Sequence, residues 1–391
     1  MGKLPNYLGP MAFGIKMGVI APGMNLEELI LEALEKCSRD GLIDDNDIIC
    51  ITESVVARAQ NNFVTIDDVA REVTEKLSLP SDGRVGVVFP ITSRNRFVQV
   101  LRGIARAVPR GEVVIQFSFP CDEVGNRLVD PEFVERLAKT ECDTITESDL
   151  EGYKPRHPVT GVDYISLYKD TVREAGAVPK VILSNDPQAI TAFSLHGVIA
   201  ADIHSREKTK AAIGKIIKNC ITLQEICNSG KSRSEWGVLG SNISSGDNIK
   251  LAPRDGRQFV LSLQNSIATE LGRKIEVLIY GDGAYCDPTS GIYELADPRP
   301  VFAATDGLNR LREGIKYKYL ADMYLSKGAD IESVEKMLEK KKKEETVIQG
   351  TIESEGTTPR PLGDVLASLA DLVSGSSDAG TPIVLIKGFL K

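Results

Sequence analysis

Histidine and tryptophan are scarce in this sequence, with three His and one Trp in 391 residues. His157, His196 and His204 are too few and too scattered for a histidine-rich metal centre. The seven cysteines, Cys37, Cys50, Cys121, Cys142, Cys220, Cys227 and Cys286, include no CxxC pair, which excludes a zinc ribbon built on paired thiolates. Cys50, Cys220 and Cys227 lie in apolar runs and read as buried, reduced thiols. No apolar run approaches the roughly 18–20 residues needed to cross a bilayer, and the first residues lack a signal peptide's apolar stretch; a soluble, cytoplasmic protein with no membrane partner is expected. Positive charge is not in excess: 47 Lys and Arg against 55 Asp and Glu leave a net charge of −8. With Lys340–Lys343 flanked by acids and reading as a solvated helix face, nucleic acid is not an expected partner. Neither a Walker A sequence nor a GxGxxG following a strand is present, which removes the ordinary nucleotide-binding loops.

What remains is a globular composition, 42% hydrophobic and 26% charged, long enough for two or three domains. Asn25 caps a helix through Leu26, Leu29, Ile30 and Leu34, Ile48–Ile51 reads as a buried strand, and Thr65 caps a helix through Val69 and Val73. From residue 85 strands and helices alternate: strands at 85–89, 112–117, 181–184 and 198–203, helices at 95–108, 165–175, 187–193 and 206–217. That alternation predicts a parallel sheet covered by helices on both faces. The fold class is therefore α/β: an α+β unit of residues 1–84 and 233–391, interrupted by a Rossmann-like three-layer α/β insertion at 85–232. The polar stretch Asn228–Ser232 is its exit linker. Gly14–Met17 reads as loop, Trp236–Leu239 as strand, 255–271 as helix, 275–280 as strand, 309–326 and 332–345 as helices, 350–361 as loop, 363–373 as helix and 382–387 as strand.

Three loops rich in small and acidic residues follow these elements: Gly240–Asp247, Tyr280–Ala284 with Asp287 nearby, and Ser374–Asp378. Glycines allow close backbone approach to phosphate oxygens, hydroxyls and amides donate to them, and carboxylates hold Mg²⁺ or Mn²⁺. Taken one at a time, each loop is better explained by an ordinary turn.

In order along the chain, however, they make the sequence similar to the coenzyme F420 gamma-glutamyl ligase family. The likeness runs through Gly14-Ile15-Lys16 and Ala21–Leu26, the strand and helix of Asp47–Gln60, Gly240–Ser245, Leu251–Gly256, and the ungapped closing segment Asp364–Val373 with Gly380–Gly388. It covers roughly residues 10–75 and 236–391. The resemblance implies a GTP- and divalent-metal-dependent ligase, working as a homodimer, that phosphorylates an acceptor carboxylate and joins it to the amino group of L-glutamate. It implies nucleotide contacts at Gly14, Ile15, Lys16, Met17, Glu53, Ser54, Arg58, Ser245, Gly375 and Ser376, a catalytic Asp282, and Mg or Mn held at Asn242 and Asp282. Asn242 and Ser376 stand where the family has acidic ligands, and Arg58 where it has lysine; Asp247, Asp287 or Asp378 could supply the missing carboxylates. The acceptor is unspecified, and a second function stays open: a non-catalytic nucleotide- or metabolite-binding protein that kept the scaffold and lost its metal. In the insertion, Thr92–Arg96 lies between a strand and a helix, where amides and arginines favour an anion, although solvation explains that loop more simply. His204 lies at a strand end on the usual crevice side of such sheets, placed for general acid or base work but more simply read as helix-capping or solvent-facing.

Overall fold

Strands with unbroken apolar runs need cover on both faces, and this chain has two families of them. The computed structural model describes residues 7–283, 285–286, 293–311, 315–343, 360–374 and 380–390. Ile48–Thr52, Glu276–Tyr280 and Ile383–Lys387 form the middle of a five-stranded sheet, whose spatial order is Met11–Ile15, Ile383–Lys387, Ile48–Thr52, Glu276–Tyr280, Val301–Ala304. Ile48–Thr52 and Glu276–Tyr280 run parallel, and the other pairings are antiparallel. Side chains alternate between the faces. Ile49, Ile51, Val277, Ile279, Ile383 and Leu385 pack among residues of the helices Leu26–Arg39 and Gly256–Leu271. Ile48, Cys50, Leu278, Tyr280, Val384 and Ile386 pack on Leu366, Ala367 and Ala370 of the helix Leu362–Ser374.

A second, six-stranded sheet has the order Ile145–Thr146, Val178–Leu183, Glu112–Phe117, Arg84–Val88, Gly197–Ala200, Cys220–Thr222, parallel except for the short first strand. Helices Val98–Arg106 and Tyr164–Glu174 cover one face; the 3₁₀ segment Pro187–Ala192 and the helix Arg206–Ile213 cover the other. This is the doubly wound, three-layer arrangement expected, with the strand order reversing between Arg84–Val88 and Gly197–Ala200. The helix Ile66–Leu77, which precedes that sheet in sequence, contributes Ile66, Val69, Val73 and Leu77 to the same apolar cluster. A small antiparallel sheet, Asn242–Ile243, Asn248–Lys250 and Phe63–Thr65, adds three short strands.

Several local expectations are corrected. Gly14 and Ile15 are not loop but the end of the strand Met11–Ile15; the glycine is there because a Cβ at position 14 would lie 2.5 Å from Thr381 Cβ. Trp236–Leu239 is a turn rather than a strand, with Gly237 at φ 57° and its N–H donating to Ser234 O. Of the helix expected over 309–326, Tyr317–Ser326 forms, while residues 312–314 lie outside the described residues. The helix expected over 187–193 is a 3₁₀ turn, Pro187–Ala192, with Phe193 extended after it.

Candidate functional site

Thr52 lies opposite Tyr280 in a parallel pair, so the residues that follow the two strands leave from one edge of the sheet, roughly 5 Å apart. These are Glu53-Ser54 and Gly281-Asp282-Gly283. The antiparallel neighbours complete the edge: Ile15 is opposite Ile383, Ile383 is opposite Ile51, and Val301 is opposite Tyr280. Lys16 and Met17 therefore depart from this edge, while Thr381-Pro382 and Arg299-Pro300 arrive at it. Thr52 N donates to Pro382 O at 3.0 Å and Gly281 N to Pro300 O at 2.9 Å, closing the backbone at both places.

Charged side chains are concentrated here. Glu53 is buried, and Lys250 Nζ lies 3.1 Å from its Oε2 and 2.7 Å from Ser54 Oγ. Burial pushes the Glu53 carboxyl above its usual range, with the Lys250 charge opposing the shift. Asp297, whose side chain has no solvent exposure, accepts Asp282 N at 2.8 Å through Oδ2 and Arg96 Nη1 at 2.6 Å through Oδ1. The other arm of the same guanidinium donates to Asp282 Oδ2. A Cβ on Gly281 would sit 2.4 Å from Asp297 Oδ2 and 2.6 Å from Phe302 Cε2, so only glycine lets this carboxylate approach the loop. Asp282 is pushed up to about 7, first by burial and then by the neighbouring Asp297 charge, against the pull of Arg96. Asp371, from the helix Leu362–Ser374, accepts Gly283 N at 2.7 Å. Tyr280 Oη lies 2.9 Å from Ser374 Oγ.

Arg96 comes from the six-stranded unit, in the loop after Arg84–Val88. That loop is fixed at both ends: Thr92 N and Oγ1 donate to the buried Asp122 Oδ2 at 2.7 and 2.8 Å, Ser93 N donates to Tyr168 Oη at 3.1 Å, and Ile243 N donates to Asn95 O at 2.6 Å. His204 makes a second crossing, with Nε2 2.7 Å from Leu295 O. Thus the two sheets meet at the acidic edge. The Thr92–Arg96 loop is tied to carboxylates of the same chain, Asp122, Asp282 and Asp297.

Of the residues singled out from the sequence, Glu53, Ser54 and Asp282 stand at this edge. Asn242 is half-buried in the hairpin and paired opposite Lys250. Lys16 is exposed beyond the end of its strand, Met17 packs against the apolar cluster beneath the Leu26–Arg39 helix, and Arg58 is exposed on the helix Glu53–Ala59. Ser245 sits in the exposed hairpin turn, and Asp247 there is 3.4 Å from Arg106 Nη2 rather than in the acidic cluster. Asp287, Gly375, Ser376 and Asp378 lie outside the described residues. Asp297, Asp371 and Lys250 were not singled out: a lone Asp in a loop or on an apolar helix carries no signal until the fold gives it neighbours. The expected Mg or Mn does not fit the cluster as it stands. Among the described residues no three His, Cys, Asp or Glu side chains are grouped to hold a metal ion, and both Asp282 and Asp297 are ion-paired with Arg96.

A model of the family described as F420-0:Gamma-glutamyl ligase matches residues 14–388, nearly the whole chain. No curated protein matches it. The chain belongs to that family.

Proposed function

We propose that this chain is a GTP-dependent acid–amino-acid ligase that forms a gamma-glutamyl amide through an acyl phosphate. The observation that supports the reading is the meeting of Glu53, Ser54, Lys250 and Asp282 at one edge of the five-stranded sheet in a chain matched by the ligase family over 14–388. In this reading the γ-phosphoryl group passes from GTP to an oxygen of the acceptor carboxylate, leaving GDP. The glutamate amine then attacks the acyl carbon, its C–N bond forming as the C–O bond to phosphate breaks. Lys16, exposed just past its strand, and Arg58, exposed in the last turn of the helix Glu53–Ala59, supply positive charge for the phosphates. Asp282, with a carboxyl that titrates near neutrality, takes the proton that the amine must lose. Glu53 and Lys250 hold each other and Ser54 in place. The six-stranded unit at 85–232 is read as an insertion that walls the acceptor side, and the enzyme as a homodimer in the cytoplasm.

The same geometry favours a second reading in one respect: with Arg96 on Asp282 and Asp297, the protein could bind a nucleotide or metabolite without turnover. Incubation with GTP, L-glutamate and a panel of carboxylate acceptors, with and without Mn²⁺, separates the two. Glutamate- and acceptor-dependent GDP formation is the expected result. Thermal stabilisation by GTP with no GDP under any acceptor would establish the binding protein instead, and no stabilisation by any nucleotide would remove both.

A further inference from the structure

Arg96 stands out because it belongs to one sheet and serves the other. Its guanidinium, with a side chain only 15% exposed, forks between the buried Asp297 and the partly exposed Asp282. Its loop is held to its own unit through Asp122 and Tyr168 and to the hairpin of the other through Ile243. Among the described residues four carboxylates (Glu53, Asp282, Asp297, Asp371) lie together at this edge, and the cations within ion-pair distance of Glu53, Asp282 and Asp297 are Arg96 and Lys250. Lys250 is committed to Glu53 and Ser54, which leaves Arg96 as the neutralising charge for the Asp282–Asp297 pair. A planar guanidinium satisfies two carboxylates in fixed directions, which a hydrated metal ion does by direct coordination.

We propose that Arg96 is a tethered counter-cation of the acidic site: it occupies the position between Asp282 and Asp297 that a divalent cation would take, so that such a cation reaches these carboxylates only by displacing the guanidinium. The proposal rests on the ligase reading only in naming a divalent cation as the competitor. It gives the insertion a role, since the unit that carries Arg96 sets how readily the site is loaded.

The test measures Mn²⁺ binding to the full chain, without nucleotide, by electron paramagnetic resonance of free Mn²⁺. Arg96→Gln removes the competing charge and leaves a shorter, neutral amide. With two unit charges a few ångströms apart at stake, the variant is expected to bind Mn²⁺ about tenfold more tightly than the wild type, or better. The gain should vanish in Arg96→Gln/Asp282→Asn. Equal or weaker affinity in folded Arg96→Gln, or no Mn²⁺ binding by either protein, overturns the proposal. Should Arg96→Gln fail to fold, Arg96→Lys keeps the charge but cannot fork both carboxylates; it is expected to bind Mn²⁺ about threefold more tightly, and unchanged affinity overturns the proposal equally. Absence of GDP formation by the wild type would count against the ligase reading alone and would leave the Mn²⁺ comparison intact.

Discussion

Asp202 carries a carboxylate in a place that disfavours charge. It follows the strand Gly197–Ala200, is buried, and has Oδ2 accepting Thr209 Oγ1 at 2.9 Å while Oδ1 has no hydrogen-bond partner among the described residues. Burial pushes it from 3.8 up to about 7. Between those values the folded protein holds a proton that the unfolded chain has released, so this residue's contribution to stability falls as pH rises across that window. Asp202→Asn removes the charge. Its melting temperature should exceed the wild type's at about pH 8, and the difference should shrink towards about pH 5, since each tenfold change in proton affinity is worth about 1.4 kcal/mol. Melting curves at three pH values check this, and a pH-independent difference would contradict it. Lys250 poses the reverse case: Lys250→Met strands Glu53 in a buried position without its cation and should cost about 3–5 kcal/mol by urea unfolding, with part of the loss recovered in Glu53→Gln/Lys250→Met. At Gly281 a methyl group collides with Asp297 and Phe302. Gly281→Ala should therefore lose about 1–3 kcal/mol of stability, together with any nucleotide-induced thermal shift.

The elements that the sequence makes plain are those whose signals are local. Thr65 caps the helix Ile66–Leu77 with a full capping box: Asp68 N donates to Thr65 Oγ1 at 3.1 Å and Thr65 N donates to Asp68 Oδ2 at 2.9 Å. Thr65→Ala should cost about 1 kcal/mol in urea unfolding, and an unchanged midpoint would show that tertiary packing alone holds this helix end. Asn25 at the Leu26–Arg39 helix is of the same kind, as are the buried runs of Ile48–Thr52 and Ile383–Lys387. Other elements are hidden because the deciding contact is remote. Met11–Ile15 is a strand because Ile383–Lys387 offers its edge, and Gly14 disguises it because Thr381, distant in sequence, fills the space of a side chain. Trp236–Leu239 is apolar enough for a strand, yet Gly237 takes a left-handed conformation and Trp236 turns edge-on to Phe302, with ring centroids 6.3 Å apart.

Taken whole, the molecule is less divisible than its alternating pattern suggests. Ile66, Val69, Val73 and Leu77 precede the second sheet in sequence but share its apolar cluster, and Arg96 ties that sheet's loop to the acidic edge of the other. Replacing residues 85–232 by a short linker would uncover those four side chains, at roughly 1.5–3 kcal/mol each. Such a chain is expected to be insoluble or to melt far below the full protein; a soluble, cooperatively melting product would show that the five-stranded unit stands alone.

By itself the sequence determined the α/β class, the helix-covered parallel sheet, the buried strands outside it and the order of loops that carries the ligase resemblance, because strand burial, helix caps and segment order are written in neighbouring residues. Tertiary structure alone decided that Asp282 would share Arg96 with Asp297, that Lys250 would close on Glu53 and that Asp371 would receive Gly283. Those pairings join positions tens to hundreds of residues apart, and a charge gains its partner, and its altered affinity for protons, only when folding has removed the water between them.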